Sequence, residues 1–207
     1  MAYDSLIVAM QQMIESHLSE VNTQIPGTIV SYDAKRNRAV VRPALPRRLA
    51  SDEPLAPPDI VEVPIVWSSG MGGTTSFTMP VKAGDGVMLA FQQRSLEGWL
   101  SGKTEMPDDP RQFDLSDCVA LPGCSHSGIS ADPTDVVLKF GDTELRITPE
   151  GTIVLGNANG SVTIDKDGNM NLKAQSIHVE TPAHQFKLET HQHIGVRSGP
   201  DVSGTPI

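Results

Sequence analysis

The second half of the chain consists of short, regularly spaced runs of alternating apolar residues, a pattern that permits few folds. The stretch 147–155 aligns with the stretch 164–172 at an offset of 17 residues. Each begins with an apolar residue, continues through three residues to a glycine (Gly151 or Gly168), and ends with apolar residues at alternate positions. Repeated short strands with glycine turns are typical of a β-solenoid or a related fibrous fold. We therefore predict short strands at 136–140, 144–147, 152–155, 161–164, 170–172, 176–179 and 186–188.

Such a segment is not expected to fold as a compact domain by itself. About 55 residues of short strands enclose too little apolar volume for a core and leave long unpaired strand edges. Winding several chains around one another would bury the apolar residues and pair the edges at the same time. The sequence therefore predicts that residues 136–190 exist only as an intertwined oligomer.

The first half of the chain has a different pattern of residues. Residues 1–25 are predicted to form an amphipathic helix, because apolar residues from Leu6 to Val21 recur at spacings of three and four. The apolar side of this helix could pack on its own domain, form a trimeric helix contact or dock on a partner, and the sequence leaves these alternatives open. Residues 26–122 contain several short strands separated by turns and proline-rich loops, which favours a small Greek-key barrel such as an OB-fold. Residues 123–135 are small and polar and are predicted to be a linker.

Charge and composition exclude several classes of function. The chain carries 25 acidic and 16 basic residues, a formal charge of −9, so the phosphate backbone of a nucleic acid would repel it. Aromatic residues make up only 4% of the sequence, too few to favour platforms on which bases stack. No apolar run is long enough to span a membrane, and the first residues lack the basic start of a signal peptide. We expect a protein that is made in a reducing cytoplasm and does not bind nucleic acid.

No arrangement of catalytic residues is visible in the sequence. Residues 123–128 approach the nucleophile motif of hydrolases, but Ser127 stands where that motif has glycine. Residues 165–168 begin like a calcium-binding loop, yet the later ligands and the closing glutamate are missing, and a hairpin turn accounts for them better. We therefore predict that the chain is not an enzyme.

The most distinctive local feature is His191-Gln192-His193, near the end of the sequence. Residues i and i+2 of a strand point to the same side, so both imidazoles would face one way. Two nitrogens do not complete a metal site, but three copies around a threefold axis supply six. Such an octahedral set suits a first-row ion such as iron or nickel better than zinc, and it leaves no open position for a substrate. His191 and His193 are therefore candidate metal ligands in a trimer.

Together these features resemble the central spike of contractile-tail bacteriophages, the baseplate assembly protein V class of membrane-piercing spikes. The resemblance covers nearly the whole chain and includes the segment 81–87, Val-Lys-Ala-Gly-Asp-Gly-Val, the segment 91–94, Phe-Gln-Gln-Arg, and Trp99. Its most specific part is the H-x-H pair followed by the glycine-bearing segment 194–196. The resemblance implies a mainly β fold with an N-terminal helix, an OB-fold barrel at 26–122, an intertwined trimeric β-helix at 136–190 and a metal-bound tip at 191–207.

The resemblance also implies a cofactor. In that class the two histidines come from each of three chains, so His191 and His193 would hold one iron ion per trimer through six His nitrogens. Some members hold structural calcium or chloride ions in the lumen of the β-helix, for which we assign no residue.

The implied function is structural. A homotrimer would stand at the distal tip of the tail baseplate in the virion, after assembly in the host cytoplasm. It would attach to the baseplate hub protein through the OB domain and pierce the host outer membrane. A trimer would carry a formal charge of −27 (three times −9), which anionic lipids repel, so the membrane would be crossed mechanically. A spike of an R-type bacteriocin or a secretion machine fits the same pattern, and an oligomeric glycan-binding module is an alternative from another class.

Overall fold

The computed structural model describes residues 2–48, 51–128, 130–182 and 185–188. The chain divides into two compact units, Met1–Ile129 and Ser130–Ile207. The described residues are mainly β, and the first unit begins with a 19-residue helix, α1 (Ala2–Glu20). The predictions of a mainly β fold and of an N-terminal helix are therefore confirmed. In the described part of the chain, no helix is long and apolar enough to cross a membrane.

The first unit continues as short strands and one further short helix. A 3-10 turn at Met71–Gly73 lies between β6 and β7, and the helix α2 (Glu97–Leu100) lies between β8 and β9. The strands, in chain order, are β1 (Gln24–Asp33), β2 (Arg38–Pro43), β3 (Arg47–Arg48), β4 (Pro54–Leu55), β5 (Ile60–Pro64), β6 (Ser68–Gly70), β7 (Thr75–Phe77), β8 (Gly86–Phe91) and β9 (Cys118–Pro122).

Five of these strands form one curled antiparallel sheet in the order β5-β2-β1-β8-β9. The two outer strands approach each other, because Ile65, just beyond β5, forms a parallel bridge with Ala120 of β9. The backbone N–H of Val66 donates to the Ala120 carbonyl oxygen at 2.9 Å. Buried residues alternate with less buried ones along β2 and β8, and the buried residues make one face of the sheet apolar. That face holds the core: Ile29, Ala39, Val41, Ile60, Val63, Ile65, Val87, Leu89, Phe91, Cys118 and Ala120.

The segment 81–87 forms a tight turn that leads into β8. The N–H of Lys82 donates to Asp85 Oδ2 at 2.8 Å, and the N–H of Ile29 donates to the Asp85 carbonyl oxygen at 2.9 Å. A Cβ atom at Gly86 would lie 1.8 Å from the carbonyl oxygen of Cys124, so only glycine allows these two backbones to approach so closely. The local backbone geometry therefore explains why Asp85 and Gly86 occur in this segment.

A partly buried ion pair holds the long connection between β8 and β9. Asp117 is only 3% exposed, and its carboxylate accepts hydrogen bonds from Arg111 Nε at 2.5 Å and from the Leu96 N–H at 2.8 Å. Arg111 also donates to Ser95 Oγ at 3.1 Å and to Asp109 Oδ2 at 2.7 Å. Burial alone would raise the pKa of Asp117, but these hydrogen bonds to its charged form keep that pKa below its usual range. Sequence periodicity does not indicate this pair, because its members come from a loop without periodicity.

The second unit is a meander of short antiparallel strands. Its larger sheet has the order β10-β11-β12-β13-β14, in which each strand pairs with the next strand along the chain, and β15 and β16 form a separate hairpin. The predicted strands are confirmed to within one or two residues at their ends: β10 (Val136–Phe140), β11 (Thr143–Ile147), β12 (Ile153–Asn157), β13 (Gly160–Ile164), β14 (Met170–Lys173), β15 (His178–Glu180) and β16 (Gln185–Lys187).

The 17-residue sequence repeat corresponds to a repeated turn. In the first copy, Thr148 N–H donates to the Thr152 carbonyl and Gly151 N–H donates to the Thr148 carbonyl (2.9 and 3.0 Å). In the second copy the same two hydrogen bonds form, with Asp165 in place of Thr148 and Gly168 in place of Gly151, and both are 3.0 Å long. Gly151 and Gly168 have φ values of 90° and 84°, the left-handed region that glycine adopts without strain. The segment 165–168 is therefore a hairpin turn, as predicted.

Candidate functional site: an apolar sheet face in the second unit

Two unbroken ladders of apolar side chains cross the five-stranded sheet of the second unit. Paired residues share a face of the sheet, and each ladder runs through directly paired positions on all five strands. The first ladder is Val136, Ile147, Ile153, Ile164 and Met170. The second is Leu138, Leu145, Leu155, Val162 and Leu172. We call these ten residues the ladder face.

The ladder face is not covered within its own unit. Among the described residues of the second unit, no side chain is buried. Leu155, at the centre of the second ladder, is 52% exposed; Leu172 and Met170, on the outer strand β14, are 50% and 62% exposed. Phe140, which follows Leu138 by two residues on the same face, is 74% exposed. An apolar face of this kind normally packs against another layer, so the unit presents half of a hydrophobic core.

The shape of the ladder face follows from strand geometry. Five strands spaced about 4.8 Å apart make each ladder about 19 Å long, whereas the two ladders are separated by two residues, about 7 Å. The exposed apolar surface is therefore a narrow stripe that runs across the strands.

The opposite face of the sheet is more polar, although Val137 and Val154 lie on it beside Arg146, and it is held by a charge cluster. Arg146 of β11 donates from Nη1 to Asp132 Oδ2 (2.7 Å) and to Asp135 Oδ2 (2.6 Å), and from Nε to Glu144 Oε1 (2.9 Å). The backbone N–H of Asp135 and the Arg146 guanidinium bind the charged carboxylate of Asp132 and hold its pKa well below the usual range. These bonds tie the last residues of the predicted linker to β11, which sequence periodicity did not indicate.

The predicted metal ligands His191 and His193 lie outside the described residues, as does the predicted tip at 191–207. In the described part of the chain, no three side chains of the histidine, cysteine, aspartate or glutamate type are placed so that they could hold a metal ion. The iron site and the ions in the lumen therefore stay predictions.

Residues 25–123 match the family model described as the phage protein Gp138 N-terminal domain. The match covers the curled sheet of the first unit and just under half of the 207 residues. No curated protein matches the chain. The family match supports a phage structural protein and thus a component of the virion.

Proposed function

We propose that the chain is the homotrimeric central spike of a contractile tail, which stands at the distal tip of the baseplate and pierces the host outer membrane. One observation carries the proposal: the second unit exposes a continuous apolar ladder face and has no buried side chain among its described residues. The first unit matches a phage protein domain. A tail component whose second unit acquires its hydrophobic core by assembly is consistent with the features of both units.

The strand order of the first unit supports an OB-fold barrel. The meander β1-β2-β5, the pairing of β1 with β8 and the pairing of β8 with β9 form an open ladder, and the parallel bridge between Ile65 and Ala120 joins its ends. A five-stranded, partly open Greek-key barrel has this arrangement. In the proposed spike, this barrel attaches to the baseplate hub protein.

A trimer explains the shape of the ladder face. Three copies that turn their ladder faces towards a common axis bury all thirty ladder residues (three times ten), and the axis then runs along the stripe, across the strands. The result is a three-sided β-shaft. Each strand of the five-stranded sheet pairs with its neighbours along the chain, which leaves β10 and β14 as outer strands. The shaft would be held together through side chains of the ladder faces as well as through any pairing of these outer strands.

The H-x-H pair would complete the tip of such a shaft. His191 and His193 from three chains offer six imidazole nitrogens, a donor set that a first-row ion such as iron accepts in octahedral geometry. Iron bound there would crosslink the three chains in a part of the spike too narrow for many side chains to pack. A closed set of six ligands leaves no position for a substrate, so the proposed role of the metal is structural and the chain is proposed not to be an enzyme.

Electron microscopy of tail particles with an antibody against the second unit tests this assignment. The proposal predicts a single label on the tail axis at the end of the baseplate that faces the cell. A label on the head, along the sheath or on fibres that project sideways would overturn it. A glycan array is the companion measurement, because specific glycan binding by the intact chain would favour the alternative of an oligomeric glycan-binding module.

A further inference from the structure

Helix α1 exposes an apolar side that the rest of its unit leaves uncovered. Every described side chain from residue 6 to residue 20 is exposed, so the alternative in which the helix packs on its own domain is not what the structure shows. Near its end the helix is connected to the unit by a hydrogen bond in which Arg47 Nη2 donates to Ser19 Oγ at 2.8 Å. The side chains that are at least half exposed include Leu6, Ile7, Met10, Met13, Ile14 and Leu18.

These apolar side chains share one narrow side of the helix. At 3.6 residues per turn, all six fall within an arc of about 140°, together with His17 and Val21, whereas Val8, which is 50% exposed, lies outside the arc near Gln12. Gln12 lies on the opposite side of the helix. A solvated helix of this length is only marginally stable by itself, so burial of this arc is needed to hold it.

The spacing along the arc is that of helices that pack on other helices. Ile7, Ile14 and Val21 are seven residues apart and occupy the a positions of a heptad. Met10 and His17 lie three residues after Ile7 and Ile14 and occupy the d positions. Leu6, Met13 and Leu18 occupy flanking g and e positions and widen the apolar seam. A seam wider than strict a and d positions is typical of bundles of several helices.

The charges of α1 argue against a membrane as its partner. Residues 2–20 carry acidic side chains at Asp4, Glu15 and Glu20 and contain neither lysine nor arginine. Helices that lie on anionic lipid surfaces depend on basic residues beside their apolar face. Glu15 and Glu20 lie beside the apolar arc and not within it, so identical helices can bury their arcs against one another while these carboxylates stay in water.

We infer that the α1 helices of three copies of this chain pack through this arc into a parallel three-helix bundle. The inference rests on the proposed trimer, which supplies three copies of the helix in one particle. It deepens that proposal, because the chain then carries a second assembly element within its first unit, independent of the ladder face.

Disulfide crosslinking of the full-length chain tests the bundle. The background variant is Cys124→Ser, since Cys118 is buried and Cys124 is only partly so. In this background Ile14→Cys places a thiol in the arc, and Gln12→Cys is a matched control on the opposite side of the same exposed helix. Under mild oxidation, Ile14→Cys is expected to form covalent dimers, with at most two of every three chains linked because one disulfide uses two thiols. The control should crosslink about tenfold more slowly, because its Cα atoms lie beyond the roughly 7 Å reach of a disulfide.

The outcomes separate this inference from the proposed function. If the chain has the mass of a trimer but both variants crosslink at the same rate, the bundle is wrong and the spike stands. If the chain is a monomer and neither variant crosslinks, the proposed trimer itself fails. Rapid crosslinking of Ile14→Cys in a particle with the mass of a trimer supports both.

Discussion

Leu155 offers the sharpest test of the ladder face, because it lies at the centre of the second ladder and is 52% exposed in the single chain. Complete burial of a leucine side chain contributes about 1.5–3 kcal/mol, so burial of the remaining half in a trimer contributes about 1 kcal/mol per chain. The cavity left by Leu155→Ala adds to this loss, for a total of about 1–2 kcal/mol per chain and about 3–6 kcal/mol per trimer. The trimer dissociation constant should therefore rise by roughly 10²–10⁴-fold.

Sedimentation velocity in increasing guanidinium chloride measures this effect as a lower denaturant concentration for dissociation. The matched control is Val154→Ala, which removes two methyl groups from the neighbouring, half-buried residue of β12 on the opposite face of the sheet. We expect Val154→Ala to leave the dissociation midpoint close to that of the wild type. Equal midpoints for all three proteins, or an equal shift in both variants, would refute the assignment of the ladder face as the trimer contact.

Three further predictions concern the ion pair of Arg111 with Asp117, the tight turn and the tip. Arg111→Met leaves the Asp117 carboxylate buried without its partner and should lower the free energy of unfolding by about 2–4 kcal/mol at pH 7, measured by chemical denaturation. Because the pKa of Asp117 is lowered in the folded state, the pair stabilises the fold above its ordinary value of 3.8 and loses this effect as the pH falls through the folded-state pKa. The difference between variant and wild type should therefore shrink below about pH 3.8, and a constant difference would show that the pair is not its source. Gly86→Ala forces a Cβ against a backbone carbonyl and should destabilise the chain by about 3 kcal/mol, whereas an unchanged melting temperature would contradict the close approach. The double variant His191→Ala with His193→Ala should lose bound metal and remain trimeric, and a monomer would show that the metal, not the ladder face, is the main source of assembly.

Periodicity predicted the strands of the second unit well. Alternating apolar residues determine which side chains share a face, and a glycine at the same position of each repeat determines the turn. Strands such as β10 and both copies of the turn therefore lie at the predicted positions. What periodicity could not give is the pairing partner of each strand. Within one chain, the structure pairs consecutive strands into a meander, and the intertwining of several chains stays a prediction.

Other features depend on contacts between residues that carry no periodic signal. The short hairpin β3–β4 lies in one of the proline-rich loops predicted between the strands, and the short hairpin β6–β7 lies in a stretch rich in glycine, serine and threonine without apolar alternation. The ion pair of Arg111 with Asp117 joins two positions of an irregular segment, and Arg146 gathers its three carboxylates from the linker and from β11. The helix α1 was predicted correctly from its apolar spacing, but that spacing does not reveal which surface covers the apolar side.

The mass of the intact chain in solution, measured by light scattering together with its metal content by inductively coupled plasma mass spectrometry, tests the central claim most directly. The account predicts the mass of three chains with one iron ion per three chains. The mass of a monomer without metal would contradict it, and so would a dimer, in which two ladder faces would simply cover each other.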